Sequence, residues 1–274
     1  MSPAVISSSY TPEDGAVKRP VSITGSQLSA HRQPEKLALT IPTLREAENL
    51  PGLLSHVRSA LDSAAIPYEI LVVDDDSRDG TGDIVSAIAL EDPRVRLLVR
   101  KGERGLSGAI LYGWHHTDAA ILGVMDADLQ HPPEVLPQLI DAILAGNDMA
   151  IGSRYTAGGG LGDWNAARKL FSAAAVWATW PIQRPGIRAK DPMSGFFLVR
   201  RECLDHIEFQ SSGFKLLLEV LVRGRIHSVA EVPFDFGCRD CGQSKANVKV
   251  AWDYAKLLAR LYAERFGFGR HSES

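Results

Sequence analysis

The chain has 274 residues, of which 45% are hydrophobic and 23% charged, and its formal net charge is -3 at pH 7. This composition is typical of a globular domain with a sizeable core. Its bulk charge predicts no nucleic-acid-binding surface, although it leaves local basic clusters open. Cys203, Cys238 and Cys241 are too few for a secreted disulfide framework, which favours a reducing, cytoplasmic compartment. No segment approaches the roughly 20 apolar residues of a transmembrane helix, and the first residues lack the apolar core of a signal peptide.

The order of hydrophobic patterns predicts three regions. Residues 1–35 are rich in Ser, Pro, Thr and Gly, which predicts a disordered tail; residues 36–236 predict one α/β domain, and residues 237–274 a loop and an amphipathic helix. The predicted strands span residues 37–41, 68–73, 95–99, 120–125, 149–152, 196–199 and 229–236. The predicted helices span residues 50–64, 81–90 with Thr81 as N-cap, 107–117, 132–145, 166–180, 214–222 and 248–266.

Polar residues follow several of these strands. Strands that alternate with helices indicate a mainly parallel sheet covered on both faces, and ligands bind such sheets beyond the carboxyl ends of the strands. Residues 74–76, residues 126–130 and Arg154 each come directly after a predicted strand. We therefore expect these three groups to lie at one edge of the sheet.

The central group is Asp126-Ala127-Asp128-Leu129-Gln130. In an extended strand, side chains two apart point to the same face, so Asp126, Asp128 and Gln130 would converge. Their oxygen atoms suit Mg²⁺ or Mn²⁺, which bind through one or two carboxylates and share phosphate oxygens of a substrate. The alternative is a solvated strand-to-helix loop, and it would be preferred for an isolated D-x-D.

Other motifs are weaker. Residues 42–46 follow the first strand without a G-x-G-x-x-G turn, which disfavours a dinucleotide-dependent dehydrogenase. The glycines at 102, 105 and 108 predict a flexible turn, and Cys238 and Cys241 form an incidental pair with no second metal-binding half. His115, His116 and His131 are interpreted as surface residues, because no metal-binding spacing connects them.

The predicted helices 166–180 and 248–266 combine tryptophans with basic residues. Trp177 and Trp180 share the first helix with Arg168 and Lys169, and Trp252 lies on the second. Such helices fit a bilayer interface, where amphipathic aromatic side chains are at home. Packing of both helices into the core is the alternative and the default.

Taken together, six motifs resemble the polyprenol-phosphate glycosyltransferases of glycosyltransferase family 2, above all its dolichol-phosphate mannosyltransferases. The motifs are PTLREAENL at residues 42–50, VDDDSRDGT at 73–81, MDADLQHPP at 125–133, GSRY at 152–155, SGFF from Ser194 and GCRDCGQSK from Gly237. The resemblance implies a GT-A fold, GDP-mannose as donor, polyprenyl (dolichyl-type) phosphate as acceptor, Mg²⁺ or Mn²⁺, and peripheral contact with the cytoplasmic face of a membrane. A UDP-glucose-dependent enzyme of the same family and a non-catalytic nucleotide-sugar-binding protein are the alternatives.

By the same resemblance, each site residue has an expected role. The nucleotide site would be lined by Pro42, Leu44, Glu46, Val73 and Asp75. The metal would be held by Asp126 and Asp128, with Ala127 and Gln130 beside them. Substrate phosphate would be contacted by Arg154, Arg239 and Lys245, and the acceptor phosphate by Arg168.

Overall fold

A computed structural model describes residues 21–22, 35–64, 66–160, 166–205, 207–209, 215–235 and 248–267. The strands are β1 (Val21–Ser22), β2 (Leu37–Thr43), β3 (Tyr68–Asp74), β4 (Val95–Val99), β5 (Ile121–Val124), β6 (Met149–Ser153), β7 (Phe197–Arg200), β8 (Glu208–Phe209) and β9 (Val229–Pro233). The α-helices are α1 (Leu50–Ser63), α2 (Thr81–Glu91), α3 (Leu106–His115), α4 (Leu136–Leu144), α5 (Ala166–Trp177), α6 (Leu216–Arg223) and α7 (Val248–Phe266). Short 3₁₀ helices cover Pro133–Val135 and Arg201–Leu204.

Seven strands form the central sheet, in the order β4-β3-β2-β5-β7-β6-β9. β7 runs antiparallel to both of its neighbours, β5 and β6, and the other pairs are parallel. Within this seven-stranded sheet, all strands except β7 therefore point the same way, and β2, β3, β5 and β6 end at one edge of the sheet. The predicted, mainly parallel sheet is confirmed.

The core fills both faces of this sheet. Along β2, Leu37, Leu39 and Ile41 pack on the face covered by α1 and α4, whereas Ala38 packs on the face that includes Trp114 of α3. This alternation follows from the two-residue period of a strand. Since fully burying one such side chain contributes about 1.5–3 kcal/mol, the two clusters hold the sheet rigidly between its covering helices.

Several predicted boundaries differ from the observed ones. α2 begins at Thr81 after Gly80, and the Thr81 N–H and hydroxyl both donate to Asp79 Oδ1, at 3.1 and 2.7 Å. Asp79 therefore does what was predicted for Thr81, because its carboxylate accepts the first free N–H of the helix. α4 begins at Leu136 rather than 132, since the preceding prolines form a 3₁₀ turn. Within the predicted tail, β1 pairs antiparallel with β8, while disorder of that tail stays a prediction.

α5 and α7 pack side by side near α6. Tyr254 Oη donates to the carbonyl oxygen of Ala175 at 2.6 Å, and Tyr262 Oη to that of Ala178 at 2.8 Å. Leu257 and Leu261 are buried against Ile182 and Leu218, which confirms core packing for this face of α7. Of the helices the structure describes, none is long and apolar enough to cross a bilayer.

Candidate active site

The loops after β2 and β3 are tied together at the carboxyl edge of the sheet. Pro42 pairs with Val73 in the β2–β3 register. Beyond the strands, the Arg45 N–H donates to Ser77 Oγ at 2.8 Å and the Ala47 N–H to Asp79 Oδ2 at 3.2 Å. The half-buried Leu44 and Glu46 lie in the first of these loops, directly after β2, and are therefore held at this edge of the sheet.

Asp75 is the centre of a buried ion pair. Its carboxylate accepts bonds from Arg100 Nε at 2.8 Å, Arg100 Nη2 at 2.9 Å and the Gly105 N–H at 2.9 Å. At Gly108 an added Cβ would lie 2.3 Å from Arg100 Nη1, so any other residue there would displace the guanidinium from this position. The predicted glycine turn into a helix is confirmed, because α3 begins directly after Gly105, and the bond from the Gly105 N–H to Asp75 anchors this turn.

Two neighbouring residues at the end of β3 contribute to the scaffold. The Val73 side chain is fully buried in the core against α3, which leaves its main chain for the predicted nucleotide contact, and that role stays a prediction. Asp74, the last residue of β3, accepts the Thr43 hydroxyl at 3.1 Å and the Ser77 N–H at 2.8 Å. The nucleotide roles of Pro42, Leu44, Glu46 and Asp75 stay predictions.

The acidic run lies in a turn and not in a strand. β5 ends at Val124, Leu129 has a left-handed φ of 58°, and the Gln130 N–H donates to Asp128 Oδ1 at 3.3 Å. The extended strand from which we predicted the convergence of Asp126, Asp128 and Gln130 is therefore wrong. An aspartate whose carboxylate accepts a nearby main-chain N–H favours a turn instead. Ala127 is buried, and Asp126 and Asp128 are partly exposed.

His131 is a buried neighbour of this turn. Its Nδ1 accepts the Asp126 N–H at 3.4 Å and lies 3.9 Å from Asp126 Oδ2. The ring stacks on Phe196 with centroids 5.3 Å apart, and burial lowers the pKa of the imidazole to about 4. The prediction of a surface histidine is wrong: a neutral ring here orients the main chain of Asp126.

The two aspartates fit a divalent cation that takes its other ligands from a substrate. Among the residues with described side chains, no group of three or more His, Cys, Asp or Glu is arranged around a metal site. Two hard carboxylates suffice, however, for Mg²⁺ or Mn²⁺ that shares phosphate oxygens. Space for the carboxylate of Asp126 depends on Gly195, where an added Cβ would lie 2.5 Å from Asp126 Oδ2.

Arg154 is held by a carboxylate that sequence reasoning missed. Its Nε and Nη2 donate to the two oxygens of Asp191 at 2.7 and 2.8 Å, and Asp191 is fully buried. The Asp191 N–H in turn donates to Glu231 Oε1 at 3.1 Å. The sequence offered little signal, because Asp191 lies 37 positions from Arg154 and within no recognised motif.

The remaining predicted cations are less well defined. Arg168 lies in the first turn of α5, and only the main chain of this residue is described. Arg239 and Lys245 lie outside the described residues, as does the pair Cys238 and Cys241. Within the described part, Arg154 is joined by a lysine that no motif had indicated, Lys215, at the start of α6.

Comparison with known proteins identifies the family. Residues 39–214 match the profile of Glycosyl transferase family 2. A dolichol-phosphate mannosyltransferase of Pyrococcus furiosus is 44% identical over 227 residues, covering 82% of this chain, which spans 63% of that relative's length. One from Mycosarcoma maydis is 40% identical over 240 residues, covering 84% of this chain and 80% of its own.

The fold is shared with solved glycosyltransferases. Glucosyl-3-phosphoglycerate synthase from Mycobacterium tuberculosis, crystallised with Mn²⁺, UDP-glucose and phosphoglyceric acid, superposes with a TM-score of 0.61 at 17% identity, covering 85% of this chain and 80% of its own. This likeness confirms the predicted GT-A fold. The chain belongs to glycosyltransferase family 2, as its motifs predicted.

Proposed function

We propose that this protein transfers mannose from GDP-mannose to a polyprenyl phosphate of the dolichyl type, with inversion at the sugar carbon. The observation that carries the proposal is the similarity to dolichol-phosphate mannosyltransferases over most of the chain, at 40% identity for the Mycosarcoma maydis relative. The carboxylates of Asp126 and Asp128, with Arg154 beyond the end of β6, provide the charges that a donor diphosphate and an acceptor phosphate require.

Asp126 and Asp128 are the proposed ligands of Mg²⁺ or Mn²⁺. When bound, such an ion neutralises charge that develops on a departing nucleoside diphosphate. The protein's own contribution is to fix the two carboxylates, through the turn at Asp128 and the His131 ring beneath Asp126. Gln130 joins the site only by resemblance, since its predicted strand geometry is not observed.

The acceptor needs binding and orientation more than it needs a base. A phosphate monoester has a second pKa near 6, so at neutral pH its oxygen is already an anionic nucleophile. Arg154, immobilised by Asp191, would orient that phosphate opposite the leaving group. By resemblance, Arg239 and Lys245 contact substrate phosphate as well.

A surface on α5 and α7 is the proposed contact with the cytoplasmic face of a membrane. Among the described residues, five of the seven exposed large apolar side chains lie on α5, just after it, or on α7, so the apolar exposure is concentrated on these two neighbouring helices. We call Leu170, Trp177, Trp180, Trp252 and Phe266 the aromatic face. Arg188 lies 5.8 Å from the Trp180 ring and Lys256 lies 5.5 Å from the Trp252 ring, so cations accompany the aromatic rings. Bilayer interfaces with anionic lipids favour this combination.

One incubation tests the reaction. Labelled GDP-mannose and labelled UDP-glucose are mixed separately with the protein, polyprenyl phosphate and Mn²⁺, and label is counted in the organic phase. We expect transfer from GDP-mannose and none after Asp128→Ala. Label from UDP-glucose alone would replace the proposed donor, and label from neither would favour a nucleotide-sugar-binding protein.

A further inference from the structure

Lys215 is a cation at the candidate site that the roles above do not use. It immediately precedes the first residue of α6, where the helix dipole is positive. Burial lowers the pKa of its ammonium group, and the charges acting on it are those of Arg154, Asp126 and Asp191. The geometry agrees, because Lys215 Nζ donates to the carbonyl oxygen of Met193 at 3.4 Å, and Met193 lies in the chain between Asp191, which holds Arg154, and Gly195, which contacts the Asp126 carboxylate.

The hydrogen bonding of this ammonium is incomplete. A lysine has three N–H donors. Over the described part of the chain, Lys215 Nζ donates to one acceptor, the carbonyl oxygen of Met193 at 3.4 Å, and no carboxylate oxygen lies within the 4.0 Å limit of a salt bridge. A shielded cation with unused donors destabilises a fold unless a ligand satisfies it.

Arg154, the other cation here, differs in this respect. Asp191 accepts from its Nε, its Nη2 and its main-chain N–H, so most of its donor capacity and its charge are balanced within the protein. Charges of Asp126 and Asp191 act on Lys215 as well, but among the described residues no carboxylate forms an ion pair with it. An anion that enters between the acidic turn and Arg154 would meet Lys215 as the less neutralised charge.

We propose that Lys215 binds a phosphate group of the substrates through its free N–H donors. This inference rests on the proposed function, in which both substrates carry phosphate: a diphosphate in the donor and a monophosphate in the acceptor. Lysine suits either, because its ammonium acts as a point charge that adapts to several oxygen positions. If Lys215 binds the donor diphosphate, the affinity for the donor depends on it. If it binds the acceptor monophosphate, the affinity for the acceptor does.

Lys215→Met tests the proposal, because it removes the charge and keeps an unbranched side chain. The matched control is Lys190→Met, which removes an exposed lysine next to Asp191 in sequence. Calorimetry gives the Kd for GDP with Mn²⁺, and initial rates at saturating GDP-mannose give the KM for polyprenyl phosphate. We expect one of these constants to rise about 10- to 100-fold, as for the loss of one charge-assisted hydrogen bond, with an unchanged or higher Tm.

The outcomes separate the two sources of phosphate. A weaker Kd for GDP assigns Lys215 to the donor diphosphate, whereas a raised KM for the acceptor alone assigns it to the monophosphate. Values equal to those of Lys190→Met would overturn the proposal. If Lys215→Met does not fold, Lys215→Gln is measured in the same way. If the wild type transfers no mannose, the proposed function fails, yet binding of GDP and of a short-chain isoprenyl phosphate still tests Lys215.

Discussion

At the scale of single residues, the candidate site depends on a glycine as much as on its carboxylates. A methyl group at Gly195 would stand 2.5 Å from Asp126 Oδ2 and 3.0 Å from its Cγ, so the carboxylate must move. We expect Gly195→Ala to lower the transfer rate about 10- to 100-fold and to raise the Mn²⁺ concentration needed for half-maximal rate, because ligand geometry is displaced.

The control for that substitution is Gly52→Ala. Gly52 lies in α1 with nothing within 4 Å of an added Cβ, and alanine favours a helix by roughly 0.5–1 kcal/mol. We expect a slightly higher Tm and wild-type transfer. Equal metal dependence of Gly195→Ala and Gly52→Ala would contradict the steric role of Gly195.

Asp191 allows a second test, because it is fully buried against Arg154. Asp191→Asn leaves the guanidinium beside a neutral amide, and loss of one partner of a buried pair costs on the order of 3 kcal/mol. We expect thermal unfolding at a markedly lower Tm, together with weaker acceptor binding. Glu264→Gln, which removes a partner of Arg223 from an exposed pair, is expected to change stability by about 1 kcal/mol or less. A similar decrease in Tm for Asp191→Asn and Glu264→Gln would contradict the assignment of Asp191 as the buried partner that stabilises Arg154.

At the scale of the elements, the repeating hydrophobic pattern predicts most strands and helices, whereas the course of the loops is determined by long-range contacts that the pattern does not contain. β4 and α7 were predicted with their observed ends, because alternation in a strand and an apolar stripe on a helix are local properties of the sequence. The acidic turn was misjudged, since its course depends on Asp128 accepting the Gln130 N–H, and not on alternation. His131, Asp191 and Lys215 were missed because burial by Phe196, the partner at position 154 and the approach of α6 are tertiary effects.

β3 also carries a cluster at the amino edge of the sheet, opposite the candidate site. Glu69 accepts bonds from Lys36 at 2.8 Å, from Arg96 at 2.6 Å and from Thr117 at 2.6 Å, which joins segments before β2, in β4 and after α3. Burial raises the pKa of the Glu69 carboxyl, but these bonds outweigh it and hold the pKa below its ordinary value. The charged form is therefore favoured by folding.

The lowered pKa of Glu69 determines how the contribution of this residue to stability depends on pH. A carboxyl whose pKa is lower in the folded than in the unfolded protein stabilises fully above the unfolded pKa of about 4.5, and that stability is lost as the pH falls through the folded pKa. We expect Glu69→Gln to unfold at a lower Tm than wild type at pH 7 and the difference to shrink below pH 4.5. A difference that stays constant between pH 7 and pH 3 would contradict a lowered pKa of Glu69.

At the scale of the whole molecule, α6 connects the candidate site to α7, the helix that carries Trp252 and Phe266. Lys215 precedes the first turn of α6, and further along this helix Glu219 and Arg223 form ion pairs with Arg260 and Glu264 of α7. Leu218 of α6 packs in the same cluster as Leu257 and Leu261. Under the proposed function a lipid-linked acceptor would reach the site from a bilayer, and the packing of α6 against α7 would then set the distance between the site and the proposed membrane contact.

The membrane proposal predicts a one-sided effect of apolar substitutions. Trp177 is 72% exposed and Trp252 is 62% exposed, on neighbouring helices. Leu90 is similarly exposed, at 68%, but lies at the end of α2, which packs against the edge strand β4. Removing apolar area that enters the interface weakens binding by about tenfold for each 1.4 kcal/mol lost. We expect Trp177→Ser and Trp252→Ser each to lower partitioning into anionic phosphatidylserine vesicles by about tenfold in sedimentation assays. Leu90→Ser should partition like wild type, and transfer to a short, water-soluble acceptor should be unchanged in all three, because the substitutions lie outside the candidate site. If Leu90→Ser lost as much vesicle binding as the tryptophan variants, the aromatic face would not be the membrane contact.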